Sequence, residues 1–442
     1  MSFDHLKSIY RDFDIRGQYP EELTAEEVTK IAMALTTYYQ PKKVAIGRDI
    51  RPSADELFSA LTEGFLLMGV DVVDLGLTTT PMVTYMCGSS DVDMAVMITA
   101  SHMPSQFNGL KVSVVDGQPV PSSVLQELKA LVEADDFQLA GTVGKLTTHS
   151  LKADWINNFS TRFDLSKQSQ SVVIDSANMI GALEVPSFKS FEPHLTVSTI
   201  YEDFDHTCPN HEANPVKTET LADLGAEVVN KQATLGIAFD GDADRVGFVN
   251  ELGVPVPSDI IGILLAQEIL KERPGATIVC DIRSTEALIE EISRLGGTPV
   301  REKVGHTHIR KTMRELDADL GIELSGHFFF KDSYFSEGGA LPAFIIMQAL
   351  QRSGQTLSEL TSTLMPYHHS GEINSEITQT PDAIYNTLNT AFPEAKIDNK
   401  DGLTLKCDNW WCNVRPSAND PVMRLNLEAD NKDLRDSKVK EI

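Results

Sequence analysis

Thr24 and Glu27 stand three apart just ahead of an apolar stripe, Val28, Ile31, Ala32 and Leu35, spaced i, i+3, i+4, i+7. This spacing predicts an amphipathic helix opened by a capping box. A β-rich run, Val44-Ala45-Ile46, follows and ends in Gly47-Arg48-Asp49. Leu57, Leu61, Phe65 and Met68 then mark a second helix stopped at Gly69, and Val70 to Leu75 reads as the next strand. Strands alternating with helices imply crossover connections and a mostly parallel sheet covered on both faces.

The unit recurs without a fixed period. Val172-Val173-Ile174 runs into Asp175 and Thr277-Ile278-Val279-Cys280 into Asp281, as Val44 to Ile46 runs toward Asp49. In a second series an apolar strand ends abruptly in a polar loop: Val96-Met97-Ile98 before Ser101-His102, Ile237-Ala238-Phe239 before Asp240, and Leu320-Gly321-Ile322 before Glu323. Three comparable α/β domains with mixed or parallel sheets account for both series, expected over 1–150, 151–252 and 253–366. The remainder, 367–442, carries Leu425 and Leu427 in alternation and reads as a smaller α+β domain. In open α/β sheets ligands gather beyond the carboxyl ends of the strands, so each polar loop is a candidate site element.

Charge narrows the partners. The 442 residues carry 38 Lys plus Arg against 64 Asp plus Glu, a formal charge of −26, and such an excess of carboxylates repels nucleic acid. The N-terminus lacks the basic and apolar stretches of a signal peptide, and no apolar run approaches a membrane span. The expectation is a cytoplasmic protein without a membrane or nucleic-acid partner, a monomer or homodimer. Five scattered cysteines read as thiols rather than a disulfide framework or zinc site.

Asp240-Gly241-Asp242-Ala243-Asp244-Arg245 sets three carboxylates at alternate positions. On a straight strand these lie about 6.6 Å apart, too far for one small cation, so a tight turn is required, and Gly241 permits one. Two carboxylates about 4 Å apart repel by about 4 kcal/mol at an effective dielectric of 20, so three converging there call for a cation. An EF-hand reading fits Asp240, Asp242, Asp244 and Glu251 by spacing, but Arg245 takes the glycine position and the flanks are strand-like. An aspartate-nucleophile phosphatase also has a strand ending in Asp-x-Asp, yet leaves Ser101 without a task.

Thr99-Ala100-Ser101-His102-Met103-Pro104 is a constrained serine loop with Lys111 close by, and no G-x-S-x-G elbow surrounds Ser101. Glu323-Leu324-Ser325-Gly326-His327 offers acceptors and a hydroxyl suited to vicinal sugar hydroxyls. Arg415-Pro416-Ser417-Ala418-Asn419-Asp420-Pro421, with Arg424 beyond, has the composition of a phosphate grip, since guanidinium pairs bidentately with phosphate oxygens.

Together with Phe13-Asp14-Ile15-Arg16-Gly17, Pro209-Asn210-His211, Asn214-Pro215 and Gly305-His306, these loops in this order resemble the α-D-phosphohexomutase family across nearly the whole chain. The resemblance implies four domains around one central cleft. Ser101 would carry a phosphoryl group beside Mg²⁺ held by Asp240, Asp242, Asp244 and a phosphoserine oxygen. Arg16 and Arg245 would assist there, and Lys111, His102 and His306 would move protons. Glu323 and Ser325 would bind ring hydroxyls, with His327 and Arg283 in the same substrate set, and Arg415, Ser417, Asn419 and Arg424 would hold the phosphate that is not reacting. The implied reaction interconverts hexose 1-phosphate and 6-phosphate through a hexose 1,6-bisphosphate, which also serves as activator. Met103, Phe13, Asn419-Asp420 and Arg283 depart from the usual family residues, but none removes the nucleophile or the metal ligands.

Leu324, where phosphoglucosamine mutases typically carry Gln, argues against that branch. The Asp281-Ile282-Arg283 segment looks more like bacterial mannose-type relatives, so mannose phosphate is the expected substrate, with glucose phosphate second. An alternative of a different class is a sugar-phosphate-binding protein without turnover. A further expectation is a basic pocket inside the acidic shell.

Overall fold

The computed structural model describes residues 9–11, 14–377, 379–417 and 422–442. Phe13, Asn419, Asp420 and Pro421 lie outside the described residues. The periodic stripes become helices: Ala25–Tyr39 buries Val28, Ile31, Ala32 and Leu35, and Ala54–Leu67 buries Leu57, Leu61 and Phe65. Only half of the capping box forms. Thr24 Oγ1 accepts from the Glu27 amide at 3.1 Å, whereas the Glu27 carboxylate takes the Tyr10 hydroxyl at 3.5 Å, a tertiary partner outside the local pattern.

Among the described residues the strands form four sheets. In the first, Asp71–Leu77, Lys43–Arg48 and Met94–Ile98 run parallel, and Met94–Ile98 is flanked antiparallel by Phe107–Val114. In the second, Leu195–Ile200, Gln170–Asp175 and Leu235–Phe239 are parallel, and Val246–Asn250 turns back along the last. The third repeats the plan: Thr298–Glu302, Thr277–Asp281 and Leu320–Ile322 are parallel, with Phe328–Phe330 returning antiparallel. Each antiparallel return follows a strand whose carboxyl end opens into one of the polar loops, and so places that loop at the rim of its sheet. The fourth sheet is wholly antiparallel, ordered His368–Glu376, Val422–Ala429, Trp410–Pro416, Leu403–Lys406, Lys396–Asp398.

The cores divide unevenly. One apolar cluster runs from Ala45 through Phe159, Phe239 and Phe344 to Leu357 and so links the three α/β units. The C-terminal unit has its own cluster, centred on Leu403, Leu405, Trp410 and Leu427. It meets the third unit through polar contacts: Val304 N donates to Asp401 Oδ2 at 3.0 Å, Glu286 N to Glu428 Oε1 at 3.0 Å and Lys406 Nζ to Glu286 Oε2 at 2.8 Å. Such a polar interface resembles transient ones. No helix of the described residues is long and apolar enough to cross a membrane.

Candidate active site

The strand Met94–Ile98 delivers Ser101 into a buried turn where its backbone takes a left-handed φ of 53°. A non-glycine residue holds that conformation only when its surroundings over-determine it. Thr99 Oγ1 accepts from Ser101 N at 3.0 Å and donates to Asp49 Oδ2 at 2.8 Å. Arg51, 3% exposed, then spends four N–H contacts on the loop's carbonyls: Nη1 to Pro104 and Phe107, Nη2 to Ser101 and Met103, all at 2.6 to 2.8 Å. Its Nε pairs with Asp49 Oδ2 at 3.0 Å. Sequence reasoning did not single out Arg51; the only local hint is a second Arg beside the Asp49 that ends the strand.

Opposite lies the acidic loop. Asp240, Asp242 and Asp244 are buried, and one oxygen of each lies within 4.8 Å of the others. The turn is made differently from the expectation. The left-handed residue is Ala243, at φ 61°, not Gly241. Gly241 serves a close approach instead, because a Cβ there would stand 2.3 Å from the Ser101 carbonyl oxygen. The two loops therefore touch, and Ser101 Oγ donates to Asp240 Oδ2 at 2.8 Å. The EF-hand reading fails: the loop joins two strands, and Glu251, its twelfth position, accepts from Ser358 instead.

Lys111 Nζ, from the strand Phe107–Val114, bridges Asp242 Oδ2 and Asp244 Oδ2. Although burial opposes it, Asp242 and Asp244 hold this ammonium above its ordinary range. One lysine does not neutralise the trio. Burial, then the neighbouring Asp244 and Asp242, push Asp240 up to about 8, while Asp242 Oδ1 is buried without a hydrogen-bond partner. Converging hard oxygens with an unsatisfied carboxylate fit Mg²⁺.

Around Ser101, Arg245 N donates to Asp240 Oδ1 at 3.2 Å, and Arg16 pairs with Asp14. His102 Nδ1 lies 3.3 Å from Ser101 Oγ. Burial, then Arg245 and Arg16, depress this imidazole to about 2, so it is neutral. His306 opens the helix His306–Glu315 and is likewise neutral, lowered to about 4 mainly by burial. His327 behaves oppositely: against burial, Asp244 and Glu323 raise it to about 10. Its Nε2 lies 3.3 Å from Asp244 Oδ1 and its Nδ1 2.9 Å from Glu323 Oε2, so one imidazolium ties the acidic loop to the Glu323 loop. Ser325 Oγ is 2.9 Å from the same Nδ1.

These groups share a cavity of about 1030 Å³ lined from all four units, including Arg16, Ser101, Lys111, Arg245, Glu323 and Arg415. Nine Lys and Arg against six Asp and Glu line it, the reverse of the 38 to 64 balance of the chain. The lining is thus richer in basic than in acidic side chains, within an acidic protein. Arg283, Arg415 and Arg424 converge on another part of the cavity wall, Arg283 Nη2 lying 3.9 Å from Glu323 Oε1, and Ser417 is buried. A residue absent from the sequence reading, Glu372, stands among the three guanidiniums. Its strand, His368–Glu376, carries no motif that marks it. Asn419, expected in this grip, lies outside the described residues. The segment with Pro209 to His211 meets the second sheet, His211 Nε2 sitting 2.9 Å from Asp175 Oδ2, while Asn214 and Pro215 reach the cleft.

Residues 7–139, 153–253 and 257–367 match the families described as phosphoglucomutase/phosphomannomutase, alpha/beta/alpha domains I, II and III. A phosphomannomutase of Methanocaldococcus jannaschii is 32% identical over 98% of this chain and 96% of its own. A phosphomannomutase/phosphoglucomutase of Pseudomonas aeruginosa is 33% identical over 96% of this chain and 92% of its own. The crystal structure of a phosphoglucomutase/phosphomannomutase family protein from Burkholderia thailandensis superposes with a TM-score of 0.91 at 27% identity, covering 98% of this chain and 96% of that one.

Proposed function

The chain belongs to the phosphoglucomutase/phosphomannomutase family and is a mutase of the isomerase class, and from that premise we propose that it moves a phosphoryl group between C1 and C6 of a hexose, mannose preferred and glucose accepted, through Ser101. The supporting observation is the 2.8 Å contact of Ser101 Oγ with Asp240 at one end of a basic cleft whose other end gathers three guanidiniums. A hexose phosphate in this cleft would place its phosphate in the arginines and its free hydroxyl toward Ser101.

In the first half-reaction a sugar hydroxyl attacks phosphorus on phosphorylated Ser101. The new O–P bond forms, the Oγ–P bond breaks, the hydroxyl proton passes to a neutral base, and the leaving serine Oγ takes up a proton in its place. His306 and His102 are the imidazoles at hand; held at about 4 and about 2 they are weak bases until the phosphoryl charge beside them raises their proton affinity. Lys111 and Arg245, both beside the acidic trio, hold the transferring oxygens, and positioning with charge stabilisation supplies most of the rate. The resulting hexose 1,6-bisphosphate turns end for end, and Ser101 Oγ attacks its other phosphate: the Oγ–P bond forms, the sugar O–P bond breaks, and the serine proton ends on the leaving sugar oxygen. Asp240, Asp242 and Asp244 would hold Mg²⁺, which when bound neutralises the phosphoserine oxygens and polarises phosphorus. Added hexose 1,6-bisphosphate acts as activator by charging Ser101. Glu323 and Ser325 orient ring hydroxyls, and His327 keeps Glu323 ionised.

The aspartate-nucleophile reading is weaker because Asp240 is fully buried and its oxygens accept from Ser101 Oγ and Arg245 N, whereas Ser101 itself lines the cleft. The deciding assay incubates the protein with mannose 1-phosphate, Mg²⁺ and a trace of hexose 1,6-bisphosphate and follows the 6-phosphate. Parallel runs with glucose and glucosamine phosphates set the preference. Full turnover by Ser101→Ala, or a faster rate with glucosamine than with mannose phosphate, would overturn the proposal.

A further inference from the structure

Arg415 and Arg424 stand directly opposite each other on the adjacent antiparallel strands Trp410–Pro416 and Val422–Ala429. Like charges facing across a ladder destabilise it, so this pair needs an anion between its head groups. Arg283 enters the same place from the third unit, anchored by Nη2 to Asp281 Oδ2 at 2.7 Å. The chain supplies the anion itself. Glu372 sits on the next strand, at the end of a bulge that begins at His369, and projects a side chain only 25% exposed. Its Oε2 lies 3.2 Å from Arg283 Nη1 and 3.5 Å from Arg415 Nη2, and its Oε1 lies 3.2 Å from Arg424 Nη1.

Those contacts are longer than the roughly 2.7–2.9 Å of a well-made charge-assisted bond. Two carboxylate oxygens are shared among three guanidinium groups, and Arg415 Nε remains buried without a partner. A phosphate, with more oxygens and more charge, satisfies the same donors better. We propose that Glu372 is an internal stand-in for phosphate: it holds the three arginines together across the third and fourth units when the grip is empty, and competes with the substrate phosphate for them. Glu372 is thus a positioning residue that weakens the grip by design of charge.

The inference rests on the mutase reading, which gives the competition its use. The bisphosphate must leave the grip by one phosphate and return by the other, so a grip without a competitor holds too long. Glu372 lets the arginines release phosphate without facing one another unscreened.

The test uses the full chain and two probes, inorganic phosphate and mannose 1-phosphate, titrated calorimetrically into wild type, Glu372→Gln, Glu372→Asp, Arg415→Ala and Glu372→Gln with Arg415→Ala. Expected is about tenfold tighter binding of both probes by Glu372→Gln, an intermediate effect for Glu372→Asp, and loss of the tightening when Arg415 is also removed. In turnover, Glu372→Gln should lower KM and kcat together, since release becomes slow. Its melting temperature without phosphate should fall and rise further on phosphate addition than that of wild type, a signature that simple loss of packing does not give. Unchanged or weaker phosphate binding by Glu372→Gln, or tightening that survives loss of Arg415, overturns the inference. Tighter binding in a protein whose wild type turns over no hexose phosphate would leave Glu372 as the internal anion and overturn the mutase reading alone.

Discussion

The two ends of the cleft are charge mirrors of each other. At the serine end two of three clustered carboxylates, Asp242 and Asp244, close on the ammonium of Lys111; at the grip end three guanidiniums converge on the carboxylate of Glu372. Each end therefore carries a small internal counter-ion of the sign that the ligand proposed for it would bring. They differ in mounting. The serine end lies among units that share one apolar core, and its loops touch closely enough that Gly241 admits no Cβ. The grip end straddles a polar interface to a unit with its own core, and its ion pairs are loose. On the proposed function, rigid mounting would suit the end where bonds are made and broken, and loose mounting the end that would catch and release phosphate.

If that contrast holds, damage at the serine end should strike kcat and damage at the grip end KM. Ser101→Ala should lower turnover by at least roughly 10⁴-fold, as loss of a nucleophile does, with the circular dichroism spectrum unchanged. Arg51→Ala, which leaves Asp49 and four loop carbonyls without their cation, should destabilise the protein by about 3 to 5 kcal/mol in urea unfolding, and a smaller cost would show that the serine loop is held by other means. Gly241→Ala should push the two loops apart and lower kcat by about 10²-fold at nearly constant KM; a pure KM effect would dissolve the distinction between the ends. Arg415→Ala should do the reverse, raising KM by about tenfold or more through lost charge-assisted contacts while single-turnover phosphoryl transfer at saturation changes little.

The smallest effect concerns pH. Asp240, raised from 3.8 to about 8, and His327, raised from 6.5 to about 10, both keep their protons more tightly in the folded state. Groups with raised folded values contribute stability that is present below the unfolded value and lost as pH climbs through the folded one. Above about 6.5 the depressed His102 and His306 are neutral whether folded or not and add nothing. Metal-free protein should accordingly lose about 1 to 2 kcal/mol of stability per pH unit between 6.5 and 8, read by urea unfolding. Asp240→Asn should reduce the slope, and so should saturating Mg²⁺, which at the proposed site would hold Asp240 ionised; a slope unmoved by either would show that the trio is not the source.

What could be read from sequence was what lies within one turn or strand. The apolar runs ending at Ser101, Asp240 and Glu323 marked strands and their loops, because strand and loop chemistry are both local. The Thr24 stripe gave its helix, although the partner of Glu27 proved to be Tyr10. The role of Gly241 was misjudged for the same reason: the obstacle that requires glycine is the carbonyl of Ser101, 140 positions away in sequence. Arg51 and Glu372 were not legible at all, since the first acts on loop carbonyls about fifty residues on and the second on guanidiniums from two units.

By itself the chain's order of residues determined the α/β alternation, the loops that carry chemistry and their acidic, hydroxylic or basic character, since hydrophobic period and side-chain type need no partner to be expressed. Only the tertiary structure decided which charges oppose one another, which glycine is an approach rather than a turn, and which imidazoles are neutral. Those properties are sums over neighbours brought together from distant segments, and Coulomb energy and burial depend on distance in space rather than on distance along the chain.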